Sequence, residues 1–168
     1  MAHLVLSVVG DDRTGLVSAL ADAVAAHGGN WERSELAELA GAFAGIVLVT
    51  VADDRAAELT QALQALDGLL RVTAHSGAPE TSTSGRALTF TVLGNDRPGI
   101  VRDVTSAISS HALSIDGFTS RTLDAPMAGG ILFEATVSVR VPEHEDAAPI
   151  VAALERLADE IQVDLSLG

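Results

Sequence analysis

The chain has 168 residues, 48% of them hydrophobic, enough apolar material for one sizeable core or two small ones. It contains no cysteine, and all ten basic residues are arginine, so disulfides, thiol nucleophiles, lysine Schiff bases and the phosphate lysine of a P-loop are excluded. The net charge of −13 is shared: residues 1–84 hold four arginines against eleven acids and residues 85–168 six against twelve, so neither half offers a basic face to a phosphate backbone.

The N-terminal Met1-Ala2-His3 lacks the charged start and cleavage site of a secretory signal, and the longest apolar stretch, around Ala44 to Ala52, is far too short to span a bilayer. A cytoplasmic protein with no membrane partner is expected. Leu4, Leu6 and Val8 alternate as in a half-buried strand. The turn Gly10-Asp11-Asp12-Arg13-Thr14-Gly15 follows, and then a helix whose Leu16, Leu20, Ala23, Val24 and His27 share one face. His27-Gly28-Gly29 ends it. A second strand is expected over Asn30 to Leu39, a third over Gly45 to Val51, a second helix through Leu59, Leu63 and Leu66, and a closing strand over Leu69 to His75. The segment Ser76 to Gly85, small and polar, reads as a flexible linker.

The whole order then repeats. Gly94-Asn95-Asp96-Arg97-Pro98-Gly99 returns the turn, with Gly94 in the place of Gly10 and Gly99 in that of Gly15. Leu88, Phe90 and Val92 precede it, and Ile100, Val104, Ala107, Ile108 and His111 follow. The second strand of this copy is expected over Ser114 to Leu123. The third is expected where Gly130 to Thr136 matches Gly45 to Val51, as though the connecting loop had lengthened by a single position. Ile150, Leu154 and Leu157 match Leu59, Leu63 and Leu66 of the second helix, and Ile161 to Leu167 closes the copy. The fold class is α+β: two ferredoxin-like βαββαβ modules in tandem, 1–76 and 87–168, joined by a linker at 77–86. The third strands are apolar on nearly consecutive positions, so both faces of Ile46 to Val51 and of Ile131 to Val137 are expected to be covered, within the chain or between chains.

The repeated turn carries the chemistry. Gly15 and Gly99 remove a side chain where a helix opens, leaving the amides around Leu16 and Ile100 without helical partners; such a start favours an anion, and the carboxylate of a free amino acid fits. Asp11 or Asp12, and Asn95 or Asp96, stand ready for the ligand's ammonium group, with Thr14 and Pro98 completing the turns. Asn30 and Ser114 open the second strands; a ligand beside them finds donor and acceptor on Asn30 but one short hydroxyl on Ser114, so the stronger site is expected to involve Asn30. A structural reading stands beside this one: Asp12 and Asp96 as helix caps, Pro98 in a first helical turn, and Gly15 and Gly99 permitting close helix–sheet contact.

Other residues read more plainly. Gly10 and Gly15 imitate half a P-loop, but Leu16-Val17 stands where Lys-Ser/Thr is required. His27 and His111 suit helix C-termini, and Asp53-Asp54 and Glu143-x-Glu145-Asp146 suit helix starts. His3, His75 and His144 have no metal-site spacing, and no metal or cofactor is expected. Trp31 and Phe118 read as core or interface residues rather than a cofactor platform, and 3% aromatics without tyrosine excludes an RNA-stacking sheet.

Asp-Arg-Pro-Gly-Ile-Val after a strand and opening a helix resembles the turn of the ACT domain, an amino-acid-binding regulatory module; two such domains in a chain of this size resemble the glycine cleavage system transcriptional repressor family. Thr14 departs from the pattern, which has proline there. The resemblance implies a non-catalytic regulatory protein that binds a small amino acid (glycine or serine) between modules, forms a homo-oligomer such as a dimer and signals to a regulatory protein partner; the acidic charge argues against direct contact with nucleic acid. Two rivals remain: a small acyl or phosphoryl hydrolase built on Arg97 and Asn95, and an oligomerisation module without a ligand.

Overall fold

The structure, a computed structural model, describes residues 1–77, 85–111, 113–125, 129–142, 146, 148–156 and 161–167, with 154, 155 and 161–167 as backbone only. Linker residues 78–84, Ala112, Glu143, His144, Glu145 and Leu157, and the side chain of Leu154, lie outside the described residues.

The chain divides into two compact units, Met1–Thr81 and Ser82–Gly168. The first runs β1 (Ala2–Asp11), α1 (Leu16–Ala26), β2 (Asn30–Leu39), β3 (Ala42–Val51), α2 (Ala56–Gln64) and β4 (Arg71–Ser76). The second runs β5 (Arg86–Asn95), α3 (Ile100–Ser109), β6 (Ser114–Asp124), β7 (Ile131–Val141), α4 (Ala148–Arg156) and β8 (Ile161–Leu167). Each forms one antiparallel four-stranded sheet, in the order β2-β3-β1-β4 and β6-β7-β5-β8.

Periodicity places each core. Leu16, Leu20 and Val24 recur every fourth residue along α1, and with Leu59 and Leu63 of α2 they cover Leu4, Leu6, Val8, Val47, Val49 and Val51 on one face of the sheet. In the second unit Ile100, Val104, Ile108 and Ile150 cover Leu88, Phe90, Val92, Val137, Val139 and Val141. Trp31 and Phe118 pack against these clusters from the second strands, as core residues do.

The repeat differs from its sequence alignment in one place. Leu6 pairs with Val47 and Phe90 with Val137, so Val137 is the counterpart of Val47, and Gly130 is not that of Gly45. The β2–β3 loop is Ala40-Gly41, whereas β6 and β7 add one rung, Asp124 opposite Ile131, and a longer loop between those two residues. Matching Gly45 to Gly130 would put Glu134 in the place of Val49, which is 0% exposed. The two alignments differ by an odd number of positions, which turns every side chain to the wrong face, and burial of the valines decides between them.

That register also corrects the expectation that both third strands are apolar on both faces. Val47 and Val49 face the helices. The other, outer face of the first sheet carries Val5, Ala37, Ala44, Ile46 and Leu48; the register-equivalent positions in the second are Thr89, Arg121, Glu134, Thr136 and Ser138. Val9 and its counterpart Leu93 are apolar in both. A largely apolar outer face, interrupted by Ser7 opposite Ile46, thus belongs to the first module, and Ile46 is 50% exposed on it.

Candidate functional site

Both repeated turns have the same backbone. Gly15 precedes α1 at φ 88°, ψ 2°, and Gly99 precedes α3 at φ 88°, ψ −1°, each as the residue that caps the helix. This left-handed conformation is what demands glycine. The close-contact explanation fails: a Cβ on Gly15 would meet nothing within 4 Å, and one on Gly99 only the Arg102 guanidinium at 3.4 Å. The capping explanation fails as well, because neither helix has a side-chain cap, so Asp12 and Asp96 are not caps. Pro98 lies one residue outside the cap rather than in the first helical turn.

What holds each turn is its backbone. The Asp12 amide donates to the Gly41 carbonyl at 2.9 Å, and the Asp96 amide to the Ile131 carbonyl at 2.8 Å, tying each turn to the neighbouring hairpin. Ala19 and Asp103 donate back to Gly15 and Gly99 at 2.9 and 3.0 Å, closing the first helical turn. Leu16 and Ile100 send their side chains into the cores, 2% and 3% exposed, so they face the turn through their backbone only. The Ile100 amide donates to the Arg97 carbonyl at 3.2 Å; among the described residues the Leu16 amide has no counterpart of that bond. Asp11, Asp12, Thr14, Asn95, Asp96 and Pro98 are exposed. Each turn is therefore a set of helix-start amides beside exposed carboxylates or an amide, able to meet an anion and a cation separated by one carbon.

The two turns differ in their arginines. Arg13 reaches Asp11 at 3.4 Å. Arg97 donates to Asp103 at 2.7 Å, and Arg102 holds the same carboxylate at 3.1 Å. The hydrogen bond from Arg97, then that from Arg102, keeps the Asp103 carboxyl below its usual range.

Asn30 and Ser114 do not join these turns. Asn30 pairs with Thr50 and Thr50 with His3, at the opposite end of β1 from Asp11. Eight strand positions separate them, about 26 Å at the rise of a strand. Ser114 pairs with Arg140 and Arg140 with Ala87, likewise at the far end. The reason is topological: α1 and α3 carry the chain back along the sheet before the second strand begins.

That far end holds a feature the sequence reading missed. Both second strands bulge there, at Glu32 and Asp116, equivalent positions of the two copies. Thr50 Oγ1 and Asn30 Nδ2 donate to Glu32 Oε1 at 2.7 and 2.8 Å, and these bonds, Thr50's first, lower the Glu32 pKa. Asp116 instead pairs with Arg140 at 2.9 Å. Recurrence of an acid at the same place in each copy was the available signal. On the outer face of the second sheet, Thr119, Ser120, Arg121, Glu134 and Thr136 line a shallow depression of about 260 Å³, with Arg121 donating to Glu134 at 2.6 Å.

The histidine and acid readings stand more simply. His27 Nδ1 donates to the Ala23 carbonyl at 2.8 Å at the end of α1, and Asp53 pairs with the N-terminal ammonium at 2.8 Å. Among the described residues no cluster of three or more histidines and carboxylates is arranged to hold a metal, and no helix is long and apolar enough to cross a membrane.

ACT domain models match residues 2–75 and 88–159. The glycine cleavage system transcriptional repressor of Escherichia coli (strain K12) is 27% identical over 170 residues, covering 99% of this chain and 89% of the relative. A crystal structure of a Galdieria sulphuraria protein is 30% identical with a TM-score of 0.87, covering 99% of this chain and 98% of the other. A solved structure named as a candidate glycine cleavage system transcriptional repressor shares the fold, with a TM-score of 0.73 at 18% identity and 99% and 98% coverage. Two glycine-capped turns in duplicated βαββαβ units and two adjacent domain matches lead to one conclusion: this chain belongs to the ACT-domain family, as a tandem ACT regulatory protein related to the glycine cleavage repressor.

Proposed function

We propose that the chain is a non-catalytic sensor of a small free amino acid, glycine or serine, which it binds at the turns before α1 and α3. The carboxylate rests on the helix-start amides after Gly15 or Gly99, and the ammonium meets Asp11 and Asp12 or Asn95 and Asp96. The observation that carries this reading is the shared left-handed glycine with no side-chain cap, φ 88° in both copies, which leaves amides at the helix start beside exposed acidic or amide groups.

Asn30 and Ser114 are not part of this proposed site, because within each module they stand at the opposite end of the sheet from the turn. Binding would act by population shift, favouring one arrangement of modules and changing the surface offered to a regulatory protein partner. The relative's name points to regulation of the glycine cleavage system through that partner. The hydrolase alternative needs Arg97 for a phosphate or acyl oxygen, and Arg97 is already engaged by Asp103 at 2.7 Å, which speaks against it.

A thermal-shift screen of the full chain against all common amino acids tests the proposal. Ligand at a hundredfold excess over Kd adds about 2.7 kcal/mol of stability, so glycine or serine should raise Tm by several degrees and Asp12→Ala should abolish part of that shift. No shift with any amino acid would leave the ligand-free module as the better reading.

A further inference from the structure

The two sheets are copies of one design, yet their outer faces have diverged in chemistry. At matching register the first module places Val5, Ile46 and Leu48 where the second has Thr89, Thr136 and Ser138. A solvated outer face needs only the second set. Strands that alternate apolar and polar residues leave their polar face to water, whereas β3 is apolar on both, with Ile46 50% exposed and Val9 of β1, on the same face, 45% exposed. The second module thus serves as an internal control: the fold does not require an apolar outer face on its third strand, so the first module's has another use.

Charge identifies the occupant. The chain carries −13, but this face is balanced: Arg33 and Glu35 stand 3.4 Å apart on neighbouring outer positions of β2, Arg71 lies across the sheet on β4 opposite Val9, and Asp11 stands on the same face at the end of β1. A strongly acidic chain repels a second copy over most of its surface and is spared that repulsion here. A two-fold pairing makes the patch meet itself, setting the arginines of one copy against Glu35 of the other around an apolar centre. We infer that the outer face of the first sheet is the dimer interface, formed with the same face of a second copy of this chain.

Sedimentation equilibrium on the full chain tests it. Wild type is expected as a dimer, Ile46→Glu and Leu48→Glu as monomers, and Thr136→Glu, the same change at the equivalent position of the second module, as a dimer. Should the apolar variants fail to fold by circular dichroism, the charge variants decide: Arg33→Glu and Glu35→Arg each weaken the dimer by about tenfold or more, and the double exchange restores it. A monomeric wild type, with Ile46→Glu lowering Tm, would mean that something in the same chain covers the face and would overturn the inference. So would dissociation by Thr136→Glu, or a dimer indifferent to Ile46→Glu and to the charge variants. None of these outcomes depends on an amino-acid ligand.

Discussion

Arg97 Nη1 donates to the Asp103 carboxylate at 2.7 Å across the second turn, and the matching place in the first copy, the residue whose amide closes onto Gly15, is the uncharged Ala19. The second turn is therefore braced by an ion pair that the first lacks. Because the folded-state pKa of Asp103 is depressed by Arg97 and Arg102, its contribution to stability is fully present above the unfolded-state value and is lost as pH falls through the depressed one. Asp103→Asn should lower the Tm at neutral pH, and the gap to wild type should close on acidification through that lower range. A gap independent of pH would show that charge is not the cause.

The capping glycines should be less sensitive to size than to backbone strain. Gly15→Ala and Gly99→Ala enter open or nearly open space at φ 88°, so each should cost about 1 to 2 kcal/mol from the left-handed conformation alone. Gly10→Ala places a methyl 2.7 Å from the Leu69 carbonyl oxygen, a backbone atom, and should cost more. Urea denaturation orders the three.

The register of β3 separates two neighbouring positions. Val49 is 0% exposed beneath the helices, so Val49→Asp buries a charge and should unfold the first module, whereas Ile46→Asp, 50% exposed, should leave it folded. Trp31 is the single tryptophan and packs against the first core, so its fluorescence reports that module. Val139→Asp, at the matching position of the second module, should leave the tryptophan signal native.

Thr50 should set the acidity of Glu32. Its hydroxyl, at 2.7 Å, is the largest cause of the lowered pKa, so Thr50→Val should move the Glu32 titration upward in an NMR pH series. An unchanged titration would assign the shift to Asn30.

The purified chain should not retard DNA at physiological salt, since a net charge of −13 without lysine opposes the release of counterions from phosphates. Salt-sensitive gel retardation by the chain alone would contradict a regulatory action routed through a protein partner.

Residue order alone was enough for the architecture. Alternation in Leu4-x-Leu6-x-Val8, fourfold recurrence in Leu16, Leu20 and Val24, and the return of the whole pattern from Gly94 all encode local geometry, which a chain carries in its own order. The same order pointed to Gly15 and Gly99, because a left-handed backbone position leaves a glycine where other residues would strain. The third-strand register was not legible: two apolar runs match equally well at odd or even offsets, and only burial of Val137, Val139 and Val141 against the helices chose among them. Nor was the separation of Asn30 from the turn legible, because nearness along the chain says nothing about which end of a sheet a returning helix delivers it to. The pairing of Arg97 with Asp103, the bulge at Glu32 and the contrast between Ile46 and Thr136 came from the same source: long-range strand and helix packing, which sets side chains together that no local spacing relates.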